Sequence, residues 1–289
     1  MTAKVYTIAS GKGGVGKTTT TINLGTALAG LGKRTIVLDA DIGMANLGLT
    51  LGLEKSEVTL HEVLAGKANF KDAIYDGPNG LKVLPSGISL QGFQNADPEK
   101  MVEVMGSLVE NYDFMLIDAP AGISKDGVIP LAIADEVILV VNPEITSVAD
   151  AMKTKVLTEM IDSNVLGVVI NRGGTTTTEL SNEKVAKLLD CNILEVVPDD
   201  VNVRNASAFR MPLVVKYPES PASIAFKRLA ASLAGMEMPD EDEEVVDKDG
   251  FVNRLSLALF GSKVPDETEE VVVKKGFLDR LALALFGGV

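Results

Sequence analysis

The chain has 289 residues, 46% of them hydrophobic and 23% charged, with a mean hydropathy of +0.22, which is ample for a packed core and too apolar for a disordered chain. With 40 acidic residues against 27 basic ones the formal charge is −13, which argues against a general polyanion binder while leaving room for a local basic patch. A single cysteine, Cys191, and a single histidine, His61, exclude internal disulfides, His-rich zinc sites and Cys-ligated clusters within one chain.

Short β-rich apolar runs recur at Lys4 to Ala9, Arg34 to Leu38, Lys82 to Leu84, Asp113 to Ile117, Glu136 to Val141, Val165 to Ile170 and Ile193 to Val197. They lack polar alternation and are separated by helix-length amphipathic segments. That pattern predicts an α/β fold with a doubly wound, mainly parallel sheet buried on both faces. A helix over Ala222 to Ala234, with Pro221 at its start and Gly235 at its stop, closes one domain over residues 1–238. No basic start followed by an apolar stretch precedes the first strand, and no apolar run approaches the ~18 residues of a membrane span, so a cytosolic protein is expected.

At Pro239 the composition turns acidic, Asp240-Glu241-Asp242-Glu243-Glu244, as in a solvated linker. Residues 239–261 and 265–287 are identical at 17 of 23 aligned positions, so the tail is an internal duplication. Two copies are too few to stack into a solenoid core. The units are 239–264 and 265–289, each an acidic linker followed by a short helix candidate. The tail holds 12 acids and 6 bases, so much of the chain's negative charge sits in the linkers.

The first strand runs into Ser10-Gly11-Lys12-Gly13-Gly14-Val15-Gly16-Lys17-Thr18-Thr19, with a helix predicted over Thr18 to Leu31. Gly11, Gly16, Lys17 and Thr18 complete the G-x-x-x-x-G-K-[ST] pattern in its strand-loop-helix setting. Glycines let backbone N–H groups converge on phosphate oxygens, and the helix N-terminus adds positive potential. Lys17 is placed to reach the β and γ phosphates and Thr18 to hold Mg²⁺. The alternative is a plain Gly-rich turn, against which the complete pattern speaks. Two carboxylate positions follow at strand ends, where α/β sheets place ligands: Asp39-Ala40-Asp41, and Asp118 after Phe114-Met115-Leu116-Ile117. Carboxylates there could equally cap a helix or turn.

The run Lys12-Gly13-Gly14-Val15-Gly16-Lys17-Thr18-Thr19 resembles the deviant phosphate loop of the MinD/ParA group of P-loop ATPases, in which a second lysine stands early in the loop. Lys12 fills that position. The resemblance covers Met1 to about Gly235. It implies a homodimer enclosing two ATP molecules with Mg²⁺, Lys12 reaching the nucleotide of the opposite subunit, and Lys12, Lys17 and Asp41 in catalytic roles. Asp41 would orient or deprotonate the attacking water. Asp39, Thr18 and Asp118 would serve the metal. Gly11 to Thr19 would cradle the phosphates, with the Gly122 N–H of Ala119-Pro120-Ala121-Gly122 near the γ-phosphate. Asn171-Arg172 and Pro198-Asp199-Asp200 match the family's two adenine loops, although both are also ordinary turn residues.

Within the family, iron-sulfur relatives need paired cysteines, and Cys191 alone reads as a small buried residue. A ParA-like DNA-binding protein whose tail recruits a partner remains the alternative, with Arg204, Arg210, Lys216, Lys227 and Arg228 as scattered basic candidates. The tail favours the MinD branch. Phe251, Val252, Leu255 and Leu259 share one helical face, and Phe277, Leu278, Leu281 and Leu285 repeat it. Each ten-residue helix would be about 15 Å long, half a bilayer core, so it would lie in the interface. Its G-F-L-x-R-L core resembles the family's membrane-targeting helix. Docking onto the domain or onto a partner protein is the other use of such a helix. The implied protein is cytoplasmic, peripheral at the inner face of the cell membrane, and positions an unidentified cargo or regulator protein.

Overall fold

The computed structural model describes residues 2–40, 46–53, 58–85, 98–122, 125–174, 179–236, 243–245 and 272–274. In chain order the first unit, Met1–Met236, holds β1 (Lys4–Ala9), α1 (Lys17–Gly30), β2 (Thr35–Asp39), α2 (Asn46–Thr50), α3 (Leu60–Leu64), β3 (Tyr75–Asp76), β4 (Lys82–Pro85), α4 (Pro98–Asn111) and β5 (Phe114–Asp118). It continues with α5 (Lys125–Ile133), β6 (Glu136–Val141), α6 (Ile145–Met160), β7 (Val165–Gly173), α7 (Asn182–Leu189), β8 (Ile193–Pro198), α8 (Val201–Ala208), α9 (Leu213–Lys216) and α10 (Pro221–Leu233). Eight strands form one sheet in the order β3-β4-β2-β5-β1-β6-β7-β8, parallel throughout except for β3 at the edge.

Continuous apolar runs suit this sheet because helices cover both faces. Alternate residues of one strand feed different cores. On β5, Phe114 and Leu116 join Tyr6, Ile8, Leu24, Leu28 and Phe226, while Met115 and Ile117 join Val5, Ile36, Leu38 and Leu108. A third core gathers Val137, Leu139 and Val141 of β6 with Val148 and Ala151 of α6 and Leu189 of α7. The doubly wound parallel architecture expected from the sequence is therefore the one observed.

Several boundaries move. The second and fifth strands sit one residue later than the apolar runs, because Asp39 and Asp118 themselves pair across the sheet. β7 extends to Gly173 rather than ending at Ile170, since Asn171 and Gly173 continue the ladder opposite Val197 and Pro198. The two-residue β3 is too short to leave a periodic signal. Among the described residues no helix is long and apolar enough to cross a membrane.

The second unit, Glu237–Val289, is described at two short segments. β9 (Glu243–Val245) pairs antiparallel with β10 (Val272–Lys274), Glu243 lying opposite Lys274 and Val245 opposite Val272. Glu243 and Glu244, expected in a solvated linker, thus enter a strand pair joining the two repeats, with unlike charges opposite each other.

α1 approaches the sheet closely at Gly25, where a Cβ would lie 2.8 Å from Val37 Cγ2 and 3.2 Å from Leu81 Cδ1. Gly25→Val is expected to destabilise the domain by about 1–3 kcal/mol through overpacking. A lowered urea midpoint at unchanged slope is the expected reading.

Candidate active site

The Gly-rich loop leaves the carboxyl end of β1, between β5 and β6. Parallel pairing brings Asp118 level with Ile8 on one side and with Asp39 on the other. Two carboxylate-bearing strand ends therefore meet the start of α1, the crevice position in which open α/β sheets bind ligands.

Asp118 is the centre of the site. Its side chain is 1% exposed, and Lys17 Nζ lies 3.2 Å from Oδ1 with its own side chain 8% exposed. Thr18 Oγ1 donates to Asp118 Oδ2 at 2.6 Å, and Thr21 Oγ1 lies 3.1 Å from Asp118 Oδ1 and 3.0 Å from the Lys17 carbonyl. Burial pushes the Asp118 carboxyl above the usual carboxylate range, opposed by the Lys17 charge and by hydrogen bonds from Thr18, Lys17 and Thr21. A hydroxyl and a carboxylate oxygen side by side are hard donors that suit a small divalent cation arriving with phosphates. Among the described residues no group of three His, Cys, Asp or Glu is arranged as a metal cage, so such a cation would need oxygens from its ligand as well.

Two glycines let the loop fit its surroundings. A Cβ on Gly11 would fall 2.1 Å from the Asp150 carbonyl carbon of α6, and one on Gly16 would fall 2.2 Å from Asn171 Nδ2. Gly16 also takes φ +96°, the left-handed region that favours glycine. Asn171 Nδ2 donates to the Val15 carbonyl at 2.7 Å, so the end of β7 holds the loop directly.

Around this loop lies a cavity of about 490 Å³ lined by Lys12, Lys17, Thr18, Thr19, Val203 and Met211 among others. A neighbouring cavity of about 220 Å³ is bounded by Thr19, Asn171, Arg172, Pro198, Asp199 and Asp200. Gly16, Thr19, Arg172 and Val203 border both. The first space suits phosphates and the second a ring attached to them. Gly13 and Gly14 line the larger space, and Val15 is buried beneath it.

The structure also reassigns atoms. Lys12 Nζ rests 3.3 Å from Glu144 Oε2 and 3.3 Å from Thr146 Oγ1, at the start of α6. Gly122, at φ +74°, turns back so that its N–H donates to the Ser10 carbonyl at 3.1 Å rather than facing the cavity. Asp39 is buried and accepts from the Leu47 N–H at 3.3 Å, the helix-capping use open to it from sequence. Asp200 accepts from the N–H groups of Asn202 at 2.8 Å and Ala222 at 3.3 Å, so its carboxylate caps α8 and α10, leaving Asp199 as the exposed carboxylate of the pair. Asp41 and the tail positions Phe251, Val252, Leu255, Leu259, Phe277, Leu278, Leu281 and Leu285 lie outside the described residues.

The basic candidates have different surroundings. Arg204 lines the smaller cavity, Lys216 stands 4.2 Å over the Phe209 ring, Lys227 donates to the Pro218 carbonyl at 2.7 Å, and Arg228 pairs with Glu195 at 3.0 Å. Thr21, Glu144 and Thr146 were not singled out in the sequence. Thr21 alone carried a signal, standing one helical turn beyond Lys17.

A family model described as an AAA domain matches residues 3–165. An uncharacterized ATP-binding protein of Methanocaldococcus jannaschii is 47% identical over 79% of this chain and 86% of its own length. The septum site-determining protein MinD of Synechocystis is 35% identical over 82% of this chain and 91% of its own. Among solved structures, the septum site-determining protein MinD of Pyrococcus horikoshii, complexed with Mg-ADP, superposes with a TM-score of 0.71 at 38% identity, covering 80% of this chain and 96% of that one.

Removing Lys17 leaves the Asp118 charge buried and uncompensated. Lys17→Met is expected to cost the ligand-free protein about 3 kcal/mol. Denaturant unfolding without nucleotide is the measurement, and Asp118→Asn in the same background should recover part of the loss.

Proposed function

The chain belongs to the MinD/ParA family of P-loop ATPases, and from that premise we propose that it is a nucleotide-switched ATPase whose dimer cycles on and off a membrane surface to position other proteins. Its substrate is ATP with Mg²⁺. Lys17 would serve the β and γ phosphates, and Thr18 and Asp118 would hold the metal, which supplies charge neutralisation at the phosphates. Asp39 supports this corner from the adjoining strand. Asp41 orients the attacking water. Asn171, Arg172 and the Pro198–Asp200 turn bound the base. Phosphoryl transfer needs little covalent help from protein, so catalysis here is positioning and charge stabilisation.

The observation that carries the dimer reading is the place of Lys12. Its ammonium borders the phosphate cavity but pairs with Glu144 and Thr146 at the start of α6, whereas Asp118 is paired by Lys17, so this charge is available to a nucleotide held by a second subunit. A cation supplied by a second subunit explains a lysine kept there. Hydrolysis is then slow and dimer-dependent. Lys12→Ala is expected to bind ATP with near-normal affinity, to form no stable ATP dimer and to lose hydrolysis by roughly 10³-fold, the scale of a cation supplied in trans. Equilibrium nucleotide binding with size-exclusion chromatography in ATP is the test; normal ATP-dependent dimers of the variant would remove the trans role.

The membrane reading is supported by the duplicated tail sequence. One short interfacial helix binds marginally, and stable attachment generally takes two signals. A single chain carries two, only the segment Ser262 to Gly276 apart in sequence, so the second binding event is intramolecular and avidity begins before dimerisation. The intact protein should bind anionic liposomes measurably in ADP and more tightly in ATP. Deleting 265–289 should make binding strictly ATP-dependent, and deleting 239–289 should abolish it. If the single-repeat protein binds in ADP as well as the intact one, or neither binds, the helices are ligands for a partner protein. Co-sedimentation with DNA in ATP would instead favour the ParA-like alternative.

A further inference from the structure

α1 opens with four consecutive threonines, Thr18 to Thr21, and the structure gives them different surroundings. Thr18 lines the larger cavity and Thr19 lines both. Thr20 and Thr21 are both fully buried. The Thr20 hydroxyl has no hydrogen-bond partner, and neither has that of Thr26 further along the helix. Thr21 Oγ1 has two acceptors within reach, the Lys17 carbonyl one turn earlier at 3.0 Å and Asp118 Oδ1 at 3.1 Å.

A hydroxyl has one hydrogen, and an ionised carboxylate is a stronger acceptor than a peptide carbonyl. The two oxygens of Asp118 are therefore held separately. Oδ2 takes the Thr18 hydroxyl, on the side where a cation would lie, and Oδ1 takes Lys17 and Thr21. When Lys17 moves to a nucleotide's phosphates, Oδ1 loses its charged donor and retains one partner, Thr21. Rotation of the carboxylate about Cβ–Cγ would then be opposed at Oδ1 by this hydroxyl.

We propose that Thr21 is a positioning residue for the metal carboxylate: its hydroxyl fixes Asp118 Oδ1 once Lys17 has left, so that Oδ2 stays presented with Thr18 to the nucleotide-borne cation. The inference rests on the Mg·ATP reading above. Thr21 borders neither cavity, so it acts through Asp118 and not by touching the nucleotide. Partners that orient a metal-binding carboxylate typically change metal affinity roughly 10–100-fold when removed.

The test uses the full chain with ADP and Mn²⁺ as the spectroscopic substitute for Mg²⁺, reading metal affinity by electron paramagnetic resonance, beside ADP affinity in EDTA. Thr21→Val, which keeps the volume and removes the hydroxyl, is expected to weaken Mn²⁺ binding to the ADP complex roughly tenfold or more while leaving ADP affinity in EDTA unchanged. Thr21→Ser should restore wild-type metal affinity. Thr20→Val, which removes a hydroxyl without partners, should leave it unaltered. If Thr21→Val fails to fold, Thr21→Ala takes its place in the same comparison. Wild-type Mn²⁺ affinity in the hydroxyl-free variant overturns the proposal, as does a Thr21→Ser protein as weak as Thr21→Val. A wild-type protein that binds no Mn²⁺ with ADP overturns the underlying nucleotide-site reading, a result distinct from either.

Discussion

A carboxylate buried at the end of a central strand is an expensive thing to keep, and Asp118 is kept by what α1 brings to it. Without donors, its charge would have to leave or take up a proton. Lys17 and Thr18 lie in the first turn of α1 and Thr21 one turn beyond Lys17, and between them they reach both carboxylate oxygens. The Asp118 main chain is engaged as well, since its carbonyl accepts the Ala40 N–H at 3.0 Å. One residue thereby locks β5 to α1 and to the chain leaving β2, and the geometry that recognises phosphate is the geometry that neutralises this charge.

The loop's second constraint is steric. Its glycines are usually discussed as making room for an anion, yet Gly11 and Gly16 face protein. One is pressed against the main chain of α6 and the other against the side chain of Asn171. The loop is thus a wedge between α6 and β7, and any change in its height is felt by the helix that also holds Lys12 through Glu144 and Thr146. Protein interiors pass on such displacements because they are close-packed.

What could be read from sequence follows the range of the interaction. The loop pattern Gly11 to Thr18 and the apolar runs are local, and a strand, a turn and a helix start are specified by residues only a few positions apart. The carboxylates Asp39 and Asp118 were visible because strand ends are where ligands sit, but which of the open uses each would take was not. Asp39 meets α2 and Asp200 meets two helix starts through contacts that exist only after the chain has closed. Glu144 was unremarkable until the fold placed it beside Lys12. Thr21 stood in a row of four identical residues, and only the sheet tells it from Thr20, whose hydroxyl finds no partner. The tail was legible as a repeat, whereas the pairing of Glu243 with Lys274 joins halves of different copies that no internal alignment would match.

The position of β1 has a consequence for how the molecule comes into being. The strand that launches the phosphate loop is made before both of its neighbours, yet it lies inside the sheet, pairing with Phe114–Asp118 on one side and with Glu136–Leu139 on the other. Parallel pairings between distant segments form slowly, since loop closure must be overcome before any contact rewards it. A nascent chain that has not yet exposed β5 has the loop's sequence without Asp118 and without the α6 main chain against which Gly11 rests. Nucleotide therefore cannot act as a template for early folding here. It meets a site completed only after the chain through α9 has emerged from the ribosome, and until β5 and β6 arrive the apolar β1 and β2 segments are edges in need of shelter.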